Sequence, residues 1–289
     1  MYTMKKILFA FPLLALAFAT THTSCQQSGS AKLEEINDTV EASALNTQLE
    51  PIQLLPIIGS PEYADAQLTL RNANVLTIAK DSVKLAFAFN VQNYNLKNQT
   101  ADAADKQCNN SDKGQHIHFI MDNKPYTALY EPKHEITLAK NSEHYLMCFL
   151  SRSYHESIKT KGAAFVYHFK IDEQGKLLTL AEPKTPMLFY SRPKGDYLGK
   201  DTANVLFDFY VWNASLGADF KVKANMHNET NGQQKELIID HWQPMFIEHL
   251  GVGKATVSIS LVDKDGKAIE GPMTNATRTI QLAAQEPLK

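Results

Sequence analysis

Residues 83–96 read VKLAFAFNVQNYNL and residues 203–216 read ANVLFDFYVWNASL. With an offset of 207 − 87 = 120 positions, Phe87, Phe89, Val91, Asn93 and Leu96 fall on Phe207, Phe209, Val211, Asn213 and Leu216. Upstream, and without a gap, Leu68 falls on Leu188 and Lys80-Asp81 on Lys200-Asp201. Apolar residues at every second position mark a half-buried strand, whose side chains alternate between two faces. Two unrelated strands can share that alternation. They have no reason to share the polar Lys-Asp and Asn positions as well, so the two stretches read as one strand in two copies of a domain.

The repeat continues at a shorter offset, 250 − 138 = 112, which sets Leu138, Tyr145, Met147 and Phe149 on Leu250, Val257, Ile259 and Leu261. The difference, 120 − 112 = 8 positions, matches a longer loop in the first copy: the polar, Asn-rich stretch Lys97–Lys113. A rival alignment sets the turn Asp172-Glu173-Gln174-Gly175-Lys176 on Asp263-Lys264-Asp265-Gly266-Lys267, and the two alignments exclude each other.

Strands are expected at 67–71, 83–91, 116–121, 144–150 and 164–171 in the first copy. In the second they are expected at 186–191, 204–212, 220–225, 236–240, 254–262 and 278–282. Phe and Val are frequent in them, as suits a pleated surface, and no long 3.6-residue periodicity competes. The fold class that follows is all-β, with two tandem antiparallel β-sandwiches of immunoglobulin-like architecture. The Cys and Trp spacing of true immunoglobulin domains is absent. Pro183 and Pro186 stiffen the connection 181–186, so the first sandwich is expected at 61–182 and the second at 183–289.

Residues 1–24 read as an export signal. Lys5 and Lys6 precede the apolar run Ile7–Ala19, which is too short to span a membrane comfortably. The following Ser24-Cys25 resembles the processing site of bacterial lipoproteins, in which a small residue precedes the lipidated cysteine; His22 stands where an aliphatic residue is usual. That resemblance implies lipidation of Cys25 and anchorage of an exported chain to a membrane of the cell envelope, in the periplasm or at the cell surface, with the outer membrane as the expected site. Residues 25–60 are then the lipidated cysteine and a tether, whose Gln, Ser, Glu and Thr content suits a flexible segment. The net charge of −2 provides no field for nucleic acid. An oxidising compartment permits a disulfide between Cys108 and Cys148, which the sequence leaves open.

The chemistry concentrates in Gly114–Tyr126, GQHIHFIMDNKPY. On a strand, Ile117, Phe119 and Met121 face the core, while His116 and His118 share the other face, about 7 Å apart by strand rise. Two imidazoles so placed offer nitrogens to zinc or copper; His134, His144, His155, His168, Asp122 and Glu156 are the candidate further ligands, and His144 and His168, which an adjacent strand could bring to the same face, complete the expected set. The same patch also reads as a ligand pocket without metal, built from His116, His118, Asp122, Tyr126, Arg152, Tyr154 and His155, or as a structural pair. The second copy has Val222 and Ala224 where the first has its histidines, so any site belongs to the first copy. Asp122–Tyr126 reads as a hairpin turn. Ser153, His155 and Glu156 contain the residue types of a hydrolase triad but lack a nucleophile elbow. In the second copy Trp212, His241, Trp242, Pro244, Met245 and Phe246 form an aromatic group expected in core or inter-domain packing, with a glycan or protein contact as the other reading.

The run GQHIHFIMDN resembles segments of uncharacterised exported β-sandwich lipoproteins of the Bacteroidota. The resemblance implies a non-catalytic binding or structural role in the envelope. A zinc- or copper-binding protein and a hydrolase with an unrecognised site are the alternatives.

Overall fold

The structure, a computed structural model, describes residues 49–285. The export signal, Cys25 and the tether up to residue 48 lie outside the described residues.

In chain order the strands are β1 (Gln53–Pro56), β2 (Gln67–Ile78), β3 (Ser82–Gln92), β4 (His116–Met121), β5 (Thr127–Leu129), β6 (Lys133–Ala139), β7 (Ser142–Ser151), β8 (Ala164–Ile171) and β9 (Leu177–Thr179). They continue with β10 (Met187–Arg192), β11 (Gly195–Leu198), β12 (Val205–Trp212), β13 (Phe220–Asn228), β14 (Gln234–Ile239), β15 (Met245–Glu248), β16 (Gly253–Asp263) and β17 (Asn275–Ala283). The first sandwich packs the sheet β2-β3-β6 on the sheet β5-β4-β7-β8-β9; the second packs β10-β12-β15-β1 on β14-β13-β16-β17-β11. Seven strands of each sandwich occupy matching places in the same sheet order, which is the duplication read from the sequence. The topology also decides between the rival alignments. Tyr145 and Val257 lie on the equivalent strands β7 and β16, whereas the two DxxGK turns follow non-equivalent strands, β8 and β16.

Each sandwich buries its own core. Phe87, Phe89, Ile117, Phe119, Cys148 and Phe169 fill the first, and Phe207, Phe209, Val222, Ala224, Val257 and Ile259 the second. A third apolar cluster joins them: Ile120, Tyr126, Met147, Phe149, Ala164 and Val166 of the first sandwich meet Met187, Phe189 and Tyr210 of the second. The molecule is thus four sheets deep at this point, with the sheet of β4 lying against the sheet of β10 and β12. Strands β4 and β10 are buried along their whole length because both of their faces are covered. Trp212 packs against this joint, and the Trp242 indole donates to Phe209 O at 2.9 Å.

Two expectations are corrected, and the disulfide left open by the sequence is absent. Residues 53–56, assigned to the tether, form β1 and pair with β15 of the second sandwich. Strands β5, β6, β9, β11 and β15 were not expected; most are short, and the side chains of β6 alternate with charges. Cys108 and Cys148 are free thiols, not a disulfide. Cys148 points into the first core, whereas Cys108 packs with Tyr154, Leu206 and Phe246.

Candidate functional site

Strand β4 begins where Gly114 takes a left-handed φ of 80° beneath the loop that starts at Lys97; a Cβ there would lie 2.2 Å from Lys97 O. Only glycine fits so close an approach. From that point Ile117, Phe119 and Met121 enter the first core, as their alternation requires. His116 and His118 emerge on the opposite face, which the second sandwich covers, and both are 0% exposed. They sit inside the joint rather than on an open patch.

The third imidazole comes from outside the strand. Ser151, the last residue of β7, is the register partner of His116. The chain then turns, with His155 N–H donating to Arg152 O at 2.9 Å, and His155 takes φ 71°. That turn folds His155 back over the start of β4. His118 Nε2 lies 3.0 Å from His116 Nε2, and His155 Nδ1 lies 3.1 Å from the same atom. All three ligand nitrogens fall within 4.8 Å of one another. Around them, His116 Nδ1 is 2.8 Å from Gly114 O. His118 Nδ1 is 3.1 Å from Ser191 Oγ, a contact across the joint. Tyr126 stacks its ring on His118 with centroids 3.6 Å apart and brings its hydroxyl to 3.1 Å from His155 Nδ1.

Burial is the main cause of the histidines' electrostatics. It pushes His116 down to about 4, against the Gly114 carbonyl and helped by Arg192 and Lys194. It holds His118 and His155 well below the ordinary histidine value, again with Arg192 and Lys194 contributing. All three rings are therefore neutral near pH 7. Lys194 donates to Tyr126 O at 2.7 Å; burial and the neighbouring Arg192 lower it to about 8.

The remaining expected residues divide by strand geometry. His144 lies on β7 in the face that includes Leu146 and Cys148, so it points toward the first core, and it pairs with Asp122 at 2.7 Å. His144 and Asp122 therefore do not join the cluster. His168 is four residues beyond Ala164 on β8, about 13 Å along the strand. There it meets Glu143 at 2.7 Å and stacks on Tyr145. Of the expected set His116, His118, His144 and His168, only His116 and His118 come together, and His155 rather than His144 or His168 completes the cluster. Arg152 pairs with Glu156 at 2.7 Å. Tyr154 is fully buried, its hydroxyl donating to Asp102 at 3.3 Å. Neither side chain bonds to the histidine rings.

The triad types are not assembled. Ser153 Oγ accepts from Thr100 N–H, Glu156 takes Arg152 and the Ser60 hydroxyl, and His155 faces His116 and Tyr126. Ser191, Arg192 and Lys194 were missed, because they belong to the second sandwich and only docking brings them near. Asn123 was read as part of a simple turn. Its φ of 55° after Asp122 at 52° suits a tight hairpin, and its side chain also reaches across to Leu188 O at 2.8 Å and Tyr190 N at 2.9 Å. A cavity of about 810 Å³ lies apart from the cluster, under the loop of Gln99 to Asp112 and against Lys200 and Ala203.

No protein-family model matches the chain, and no curated protein matches it in sequence. Among solved structures it is similar to the fibronectin(III)-like modules of Clostridium thermocellum CbhA, with 11% identity and a TM-score of 0.25 over 75% of this chain and 95% of that one. It is also similar to the chicken interferon gamma receptor alpha chain, with 9% identity and a TM-score of 0.23 over 74% and 97% of the two chains. A third similar structure is the tandem V-type regions of a v-region-containing chitin binding protein, with 8% identity and a TM-score of 0.22 over 75% and 99%.

Proposed function

We propose that this chain is an exported envelope protein, anchored through a lipid on Cys25, with a non-catalytic binding or structural role. The observation that carries the non-catalytic half is the burial of the histidine cluster. A reaction centre must admit its substrate, yet His116 and His118 are closed over by the second sandwich. Their contacts tie one domain to the other. The candidate hydrolase residues Ser153, His155 and Glu156 each bond elsewhere, which also speaks against catalysis. The anchoring half rests on Lys5, Lys6, the apolar run to Ala19 and Ser24-Cys25. Zinc or copper, if bound, serves the joint in this reading rather than a reaction.

Fractionation of cells producing the wild type and Cys25→Ser tests the anchor. The wild type is expected with the membranes and the serine variant in the soluble exported fraction. The same membrane share for both would overturn the proposal.

A further inference from the structure

We infer that the joint between the two sandwiches holds a zinc or copper ion, bound by His116 Nε2, His118 Nε2 and His155 Nδ1. This goes beyond the envelope role and does not depend on it.

The argument begins with counting protons. His116 Nδ1 faces the Gly114 carbonyl at 2.8 Å, and a carbonyl oxygen only accepts. Nδ1 therefore carries the proton, and Nε2 of the neutral ring presents its one lone pair. Two more nitrogens approach that lone pair, at 3.0 Å and 3.1 Å. Without a metal, either that lone pair is divided between two donors, or His155 Nδ1–H turns to the Tyr126 hydroxyl 3.1 Å away and leaves its contact with His116 unused. Otherwise one contact sets lone pair against lone pair in a site closed to water, where an unmet polar group is costly. A metal ion removes the conflict by accepting all three lone pairs.

Geometry and donor type agree with this. Nitrogens about 2.0–2.1 Å from a tetrahedral zinc lie about 3.3 Å from one another. The observed spacings of 3.0 Å and 3.1 Å lie close to that value, and the third pair, within the outer limit of 4.8 Å, closes by at most about 1.5 Å on binding. Imidazole suits zinc and copper; the oxygen ligands that magnesium and calcium require are absent from the set. The outer contacts are those of ligating histidines: His116 is oriented by a backbone carbonyl and His118 by the Ser191 hydroxyl. Arg192 and Lys194 oppose a cation, which places the affinity below that of a three-histidine site without positive neighbours. Two ligands come from β4, the third from the turn after β7, and Ser191 from β10, so the ion bears on the contact between sandwiches.

The purified full chain is treated with chelator, offered Zn²⁺, Co²⁺ or Cu²⁺ separately, desalted and analysed for metal. A single ion per chain is expected, with at least tenfold weaker binding in His118→Gln and His155→Gln. Ser191→Ala should weaken binding about tenfold, and His168→Gln and His241→Gln, both away from the cluster, should leave it unchanged. Absence of stoichiometric metal in the wild type, undiminished binding in His118→Gln, or loss of binding in His241→Gln would overturn the inference. Should the glutamine variants fail to fold by circular dichroism, the Cu²⁺ electron paramagnetic resonance spectrum of the wild type decides. Coupling to several imidazole nitrogens is expected, and a spectrum without nitrogen coupling rejects the site.

Discussion

Acid should weaken the metal-free protein through the joint. The ordinary value for histidine is 6.5, and His116 is held at about 4 in the fold, chiefly by burial. An unfolded chain thus takes up a proton near 6.5, whereas the folded chain resists until about 4. Between those values the unfolded state binds more protons, so stability is complete above about 6.5 and falls as the pH drops toward 4. The gap of 6.5 − 4 = 2.5 corresponds to about 3 kcal/mol in full, of which about 2.5 kcal/mol is lost by pH 4.5. His118 and His155 are depressed by the same burial and act in the same sense. The groups facing them reinforce the effect where they are cationic, as Arg192 and Lys194 are; Ser191, Tyr126 and the Gly114 carbonyl remain neutral in this range. Buried Glu156 acts the opposite way, since burial raises its carboxyl and favours the fold in acid.

Urea unfolding followed by tryptophan fluorescence suits the measurement, because Trp212 and Trp242 both pack at the joint. With a slope of about 2 kcal/mol per molar urea, the midpoint should fall by roughly 1 M between about pH 7.5 and pH 4.5 in chelator. His116→Gln, which cannot titrate, should lose the His116 share of that dependence and keep that of His118 and His155. A midpoint unchanged over this range, or an equal shift in His116→Gln, would refute the burial argument.

Phe189→Ala empties the centre of the joint, where the ring is fully buried; it should cost about 3–5 kcal/mol in chemical denaturation and speed proteolysis near Pro183–Pro186. Asp208 is fully buried with Lys159 at 2.7 Å and Ser157 Oγ at 2.9 Å. Asp208→Asn should cost about 3 kcal/mol by calorimetry, and an unchanged melting temperature would contradict the pairing. Asn123→Ala removes bonds to Leu188 O and Tyr190 N and should cost about 2 kcal/mol in urea. Thiol titration in denaturant should find Cys108 and Cys148 free without reductant; a reductant-dependent change in gel mobility would show otherwise.

The strands that carry the two cores were legible because each buries one face, which the alternation of Phe87, Phe89 and Val91 records directly. β4 and β8 run over the residues read from the sequence. β1, β5, β9 and β11 were not legible, being only three or four residues long and held by a neighbour's edge rather than by a pattern of their own. For the site, the shared face of His116 and His118 followed from period two. The position of His155 did not, since a single turn after β7 carries it back over β4.

By itself, the sequence determined an all-β duplicated chain whose first copy alone bears a histidine pair, because pleating and burial act on neighbours along one strand. Only the tertiary structure decided what lies against the second face of that strand. Alternation separates two faces without saying whether water, a ligand or another domain covers them. Packing of Met187, Phe189 and Tyr210 against Ile120, Met147 and Phe149 settled it. That packing buried the imidazoles and brought Ser191, Arg192 and Lys194 from the second sandwich to the cluster.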